Sequence, residues 1–328
     1  MCTLPNYMIY EGQHVDKNMN YVPTYKFLGH YQFKKIVDQN IPFIQVPCGK
    51  CLECRLQQTR QWSDRCVLES KNSPYNYFVT LTYDDEHLPP NASLDPKHLT
   101  QFVNLLRKHF KRKLGFDGKI RFLACGEYGS ASLRPHIHIL LFNCPIPDLS
   151  YDFYLEEDGK LVKHIRPPSK NNDLYYSQTI YDLWQRKGLI SVGNFNYDTA
   201  AYVAQYVTKK CVGMDKKHWH ELNLYPEFLR MSNGIGKQYF EDHPDVHDTG
   251  KLVIDSSGEA HLSSVPRYFD KLFEKKYGKD VFDVISIKRS KKRIINVATN
   301  LNKRADYDDQ CKIREHNIER QHHLKQGI

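Results

Sequence analysis

Residues 75–211 predict an α+β fold: a ferredoxin-like βαββαβ antiparallel sheet with helices on one face and a further helix appended. Three observations carry that expectation. Segments rich in β-branched and aromatic residues alternate with helix formers in the order strand, helix, strand, strand, helix, strand. Helix-starting and helix-ending residues fall at the junctions, with Asp95-Pro96 at one start and Gly115 and Gly188 at two ends. Residues 134–143 are apolar on both faces apart from two histidines, as an interior strand should be.

In chain order, the first forty-odd residues show no clear period and are expected to be irregular or weakly strand-forming. Residues 53–72 place Leu56, Thr59, Trp62, Cys66 and Leu68 near one face of a helix. YNYFVTLTYDD (75–85) is the first strand of the βαββαβ run, and Pro89, Pro90 and Asn91 mark the loop after it. A helix runs from Asp95-Pro96 to Lys113, with Leu99, Phe102, Val103, Leu106 and Phe110 as its apolar stripe. KIRFLACGE (119–127) and RPHIHILLFN (134–143) are the next two strands.

Residues 145–175, with their prolines, acidic pairs and Asn171-Asn172, read as an insertion or long exposed loop. YSQTIYDLWQRKG (176–188) resumes as helix and LISVGNFNY (189–197) as the fourth strand. TAAYVAQYVTKKC (199–211) is the appended helix, capped by Asp198 or Thr199. Beyond 212 the chain is more polar, with short helices expected near 218–232 and 266–277 and an exposed basic helix from 298. The organisation expected is an N-terminal segment 1–72, a central domain 73–212 and a C-terminal region 213–328.

The 328 residues are 40% hydrophobic and 26% charged, an ordinary balance for a soluble globular protein. No run of about 18 apolar residues exists, and the N-terminal stretch lacks a basic segment followed by an apolar one, so a cytoplasmic setting without a membrane span is expected. Nine cysteines in such a chain read as thiols rather than a disulfide framework. Net charge is +9, and residues 288–328 carry eleven Lys or Arg against five Asp or Glu. Such a tail suits a nucleic-acid backbone, although a solvated helical surface has the same composition.

Three constellations carry chemistry. His136 and His138 lie two apart on a strand, so both rings leave one face, and Glu127 ends the neighbouring strand. Two imidazoles and a carboxylate suit a divalent ion, Mg²⁺ or Mn²⁺, acting as a Lewis acid on a phosphate. The bland reading is a pair of hydrogen-bonded strand histidines.

Tyr202 and Tyr206 lie four apart on a helix, with Lys209 and Lys210 following on that side. A phenol can attack a phosphodiester while a cation steadies the phosphate, whereas two core aromatics would show the same spacing. The third constellation is Cys48, Cys51 and Cys54, a tandem Cys-x-x-Cys that suits thiolate ligation of structural Zn²⁺. It needs a fourth ligand, for which Cys2 and Cys66 are candidates; reduced, non-ligating thiols are the alternative.

The order His-x-His strand, then Tyr-x-x-x-Tyr helix, resembles the HUH endonuclease superfamily in its two-tyrosine form. FVTLTYDD (78–85), RPHIHILLF (134–142) and AAYVAQYVTKK (200–210) are similar to its three motifs. Beyond them, Cys2, PCGKCLECR (47–55), TLTYDDEHLP (80–89), GEYG (126–129), GIGKQYF (234–240) and VPRYFDKLF (265–273) resemble the replication initiators of microviruses, gokushoviruses in particular.

The resemblance implies rolling-circle replication in a host bacterial cytoplasm. One strand of viral origin DNA, single-stranded or in the supercoiled replicative form, is nicked by a tyrosine that keeps the 5′-phosphate. The free 3′-OH primes synthesis with host helicase and polymerase, and the second tyrosine cuts and rejoins after one round. A plasmid-type or transposase nickase would share this chemistry, while a relaxase carries its tyrosine ahead of the histidines. A non-catalytic zinc-containing DNA-binding protein is the reading from another class.

Overall fold

The computed structural model describes residues 2, 5–15, 19, 21–29, 43–129, 132–157, 160–166, 173–212, 219, 221–256 and 259–286, with the backbone alone at 207–212. The basic tail expected from 298, and with it the charge cluster from 290 on, lies outside the described residues. Packing divides the chain into two units, Met1–Gln58 with Ser290–Ile328, and Thr59–Arg289.

In the first unit, β1 (Asn6–Val15), β2 (Tyr21–Leu28) and β3 (Phe43–Val46) form an antiparallel sheet in the order β2-β1-β3. The weak strand tendency read there is thus realised as paired strand. Most of its side chains are exposed or half-exposed, which is why no period shows; Tyr7 is buried, with its ring edge-on to Phe43. Helix α1 (Leu52–Ser70) begins in this unit and continues into the second.

The second unit is built on β4 (Asn76–Thr82), β5 (Arg121–Tyr128), β6 (Pro135–Phe142), β9 (Leu174–Tyr175), β10 (Ile190–Asn194) and β11 (Phe228–Met231). Their order across the sheet is β11-β5-β6-β4-β10-β9, and every pair is antiparallel. The inner four strands interleave as second, third, first and fourth of the βαββαβ run, the split arrangement that the sequence predicts. Strand β6 is interior, which explains its two apolar faces.

Helix α2 (Pro96–Lys113) starts where Asp95 accepts a hydrogen bond from the Lys97 amide at 2.8 Å, and Pro96 fits the first turn. Helix α3 (Gln178–Leu183) is capped by Ser177, whose hydroxyl accepts from the Ile180 amide. Both helices cover one face of the sheet: Leu99, Phe102, Leu106 and Ile180 pack on Val79, Leu81, Ile137, Ile139 and Val192. Removing each such side chain from water stabilises the fold by about 1.5–3 kcal/mol.

Helix α4 (Tyr197–Val212) lies on the opposite face, where Ala200, Val203 and Tyr206 pack on Leu123, Cys125, Leu140 and Phe142 together with Cys66 of α1. The sheet therefore carries helices on both sides, the two crossover helices sharing one and the tyrosine helix taking the other. The cap of α4 comes from Asn196 rather than Asp198 or Thr199 alone. Asn196 accepts from the Thr199 amide and gives its own amide to the Thr199 hydroxyl.

Two expectations are corrected. Residues 145–175 are not a loop throughout, because β7 (Asp152–Glu157) and β8 (Lys160–Ile165) pair as a hairpin. Residues 228–231, expected within a short helix, instead extend the sheet edge as β11. The helix expected at 266–277 is present as α7, which follows α5 (Lys237–Asp242), α6 (Val246–Thr249) and the hairpin of β12 (Lys251–Ser256) and β13 (Glu259–Ser264). Helix α7 spans Arg267–Tyr277. Phe240, Leu252, Ile254, Phe269 and Phe273 from this region pack on Val67 and Leu68 of α1.

Candidate active site

The period of two along β6 sends His136 and His138 to the face that α4 covers, and the antiparallel register brings the rest of the site to them. Across β5, Glu127 lies opposite His136 and Cys125 opposite His138; across β4, Thr80 lies opposite His138 and Thr82 opposite His136. Glu127 Oε1 accepts from His136 Nε2 at 2.8 Å, from His138 Nε2 at 2.9 Å and from the Tyr202 hydroxyl at 2.7 Å. The Tyr202 oxygen is also 3.4 Å from His138 Nε2. One carboxylate oxygen thus gathers both imidazoles and one phenol.

The outer nitrogen of each ring is held elsewhere. His136 Nδ1 faces the Arg134 carbonyl at 3.1 Å, and because a carbonyl only accepts, that nitrogen carries a proton. His138 Nδ1 meets the Thr80 hydroxyl at 2.9 Å, and Phe78 stacks on the His138 ring with centroids 5.3 Å apart. Both rings are thereby fixed with Nε2 turned inward, the arrangement that orients metal-binding imidazoles. Gly126 is required beside Glu127, since a Cβ there would come within 2.5 Å of the Phe228 ring on β11.

Electrostatics follow from burial and these bonds. Burial alone would raise the Glu127 carboxyl, but the hydrogen bonds from His136, His138 and Tyr202 outweigh it and hold the group well below the usual carboxylate range. Burial would lower His136, and the bond to Glu127 more than reverses that. Burial, and then the Glu127 carboxylate, push the Tyr202 phenol up. In this resting arrangement Tyr202 is firmly protonated.

The two tyrosines are placed differently. Tyr202 is 38% exposed with its hydroxyl on the cluster, whereas Tyr206 is 4% exposed, packed in the core one turn further along with its ring edge-on to Tyr202 at 5.8 Å. Lys209 and Lys210 follow on the same helix, with side chains outside the described residues.

Sequence reasoning did not single out Thr80, Phe78 or Glu227. Thr80 and Phe78 could have been found from the period of two along 76–82, which sets them on one face. Glu227 accepts from the Tyr128 amide, and its charge reaches His136 and Tyr202; no sequence signal marks it.

The four cysteine sulfurs form a second cluster, wholly within the first unit. Cys2, Cys48, Cys51 and Cys54 offer sulfurs within 4.8 Å of one another. Cys66, the other candidate for fourth ligand, is fully buried in the core beneath α4.

Fold and site define an α+β protein in which an interior His-x-His strand, a neighbouring carboxylate and a tyrosine helix meet at one point. Residues 76–211, which supply all of those groups, match the family of the replication-associated protein ORF2. The chain is 38% identical over 253 residues to Replication-associated protein ORF2 of Spiroplasma virus 4, covering 75% of this chain and 73% of that protein. It is 32% identical over 252 residues to Replication-associated protein VP4 of Bdellovibrio phage phiMH2K, with the same shares covered. Replication-associated protein ORF4 of Chlamydia phage 1 is 29% identical over 287 residues, 86% of this chain and 66% of that one. The chain belongs to this family of replication-associated proteins of microvirus-type phages. No solved structure matches it.

Proposed function

We propose that this protein initiates rolling-circle replication of a small phage genome by nicking one strand of the origin, with Tyr202 as the first nucleophile and an HUH-type site around it. The observation that carries this reading is the single Glu127 oxygen that joins His136, His138 and the Tyr202 hydroxyl, at 2.8, 2.9 and 2.7 Å. Family membership supports the role in replication.

The donor set fits a divalent cation: two inward Nε2 atoms and a carboxylate oxygen, all within 4.8 Å, form a mixed nitrogen and oxygen group suited to Mg²⁺ or Mn²⁺. His136, His138 and Glu127 would hold it, and when bound it supplies Lewis-acid polarisation of a phosphate oxygen. Thr80 and the Arg134 carbonyl keep the two rings turned to that task.

Tyr202 gives its proton to a hydrogen bond with Glu127, so its oxygen becomes a nucleophile when that carboxylate is otherwise engaged. Its attack on phosphorus forms the 5′-phosphotyrosine link and breaks the bond to the 3′ oxygen, which takes up a proton and leaves as a free 3′-OH. Lys209 and Lys210 would steady the phosphate charge. Tyr206 would make the second cut after one round, once its ring leaves the packing beside Tyr202, and the new 3′-OH would rejoin the first end. Viral origin DNA is the substrate on this reading, and host helicase and polymerase are the partners.

The test is incubation with single-stranded origin oligonucleotides and Mn²⁺, followed by detection of a covalent protein–DNA adduct. The adduct is expected to vanish in Tyr202→Phe and to persist in Tyr206→Phe, which should complete one transfer and then stall. An adduct retained by Tyr202→Phe and lost in Tyr206→Phe would reverse the assignment. Tight binding with no adduct on any origin sequence would favour a non-catalytic DNA-binding protein.

A further inference from the structure

We infer that Cys2, Cys48, Cys51 and Cys54 bind one zinc ion as a tetrathiolate, clasping the chain near residue 2 to the turn that precedes α1. This rests on geometry separate from the nicking site. Cys2 Sγ is 3.7 Å from Cys51 Sγ, and Cys48 Sγ is 4.0 Å from Cys54 Sγ. Zinc–sulfur bonds of about 2.3 Å at tetrahedral angles set sulfurs roughly 3.8 Å apart, so the spacing is that of ligands around one centre. A disulfide would bring a pair to about 2.05 Å, and none of these four cysteines is in one. A multi-iron cluster would spread its thiolates around a wider core.

The backbone is shaped for the negative charge that such a site carries. The amides of Lys50 and Cys51 donate to Cys48 Sγ at 3.4 and 3.2 Å, and the Cys48 amide donates to Cys2 Sγ at 3.3 Å. Successive amides aimed at one sulfur form a knuckle that steadies a thiolate, and Gly49 makes it possible with φ at +74°.

The first sheet delivers the distant ligand. Asn6 pairs with Val46 and Tyr7 with Gln45, and continuing that antiparallel register sets Cys2 opposite residue 50, inside the Cys48–Cys51 turn. Binding removes four thiol protons to solvent and forms four zinc–sulfur bonds, with no change of oxidation state.

The experiment uses the full chain with His136→Ala and His138→Ala, so that the other cluster contributes no ion, purified without added metal. Elemental analysis is expected to return one zinc per chain, and cobalt replacement to give the charge-transfer and d–d bands of a tetrathiolate. Cys2→Ser should lose zinc readily to a chelator, while Cys2→His should retain it. Substoichiometric zinc, iron in its place, or the same retention in Cys2→Ser and Cys48→Ser as in the parent would each overturn the inference. The metal content of the parent chain decides the matter even if a variant fails to fold.

Discussion

At the scale of single residues, the site depends on groups that never touch the proposed substrate. Thr80 is the clearest, because its hydroxyl fixes His138 Nδ1 and so sets the direction of Nε2. Thr80→Val keeps the shape and removes that bond. Partners of this kind change metal affinity by about 10–100-fold, so the Mn²⁺ concentration giving half-maximal adduct should rise by that factor while saturating activity changes less. An unmoved Mn²⁺ midpoint would show that Phe78 stacking alone holds the ring.

The four groups that converge were legible in the sequence because strand and helix periods fix faces. A spacing of two aligned His136 with His138, and a strand end offered Glu127. The sequence could not separate Tyr202 from Tyr206, since both share a helical face. Only packing of α4 on Leu140 and Phe142 decides which hydroxyl reaches the cluster. Cys2 was open against Cys66 for a similar reason, as pairing of β1 with β3 is a long-range fact.

Among elements, α1 is the one that ties the catalytic sheet to the region after 232. Glu69 on its last turn is buried, accepting from Arg121 Nη1 of β5 at 2.5 Å and from the Gly236 amide at 2.7 Å. One turn earlier, Arg65 donates to the Ile235 carbonyl, with its guanidinium 4.0 Å from the rings of both Trp62 and Tyr268. Removing one partner of a buried pair leaves the other charge uncompensated, so Glu69→Ala should lower unfolding stability by about 3–5 kcal/mol. Urea titration monitored by far-ultraviolet circular dichroism would measure it, and a loss under about 1 kcal/mol would mean that water replaces the carboxylate.

The βαββαβ elements were readable because each has a period and a bounding cap, as with Asp95-Pro96 at α2. The hairpin of β7 and β8 was missed although Asp158-Gly159, a strong hairpin signal, sits between its strands. Neighbouring prolines and charges masked it. Strand β11 was missed because a four-residue edge strand has too few positions to show a period, and its pairing with β5 is set by tertiary contact.

For the whole molecule, charge distribution is the property that should govern how it meets DNA. Net charge is +9, and Lys288, Arg289, Lys291, Lys292 and Arg293 put five cations in six positions. If these lie along a phosphate backbone, each contact releases condensed counterions, and binding to single strands falls with salt by a slope of about 0.7 per contact. Replacing the five with Gln keeps chain length and removes only charge. Loss of all five contacts would flatten the slope of log affinity against log salt by about 3 to 4, with the largest drop in affinity at low salt and little change at high salt. The adduct chemistry should survive once DNA is saturating, because the Glu127 cluster is untouched. Fluorescence anisotropy with a labelled origin strand across a salt series measures the slope directly. A weaker complex with an unaltered slope would move the cations off the backbone and assign the electrostatic contact to the remainder of the chain, including the basic last turn of α2 at Lys111, Arg112 and Lys113.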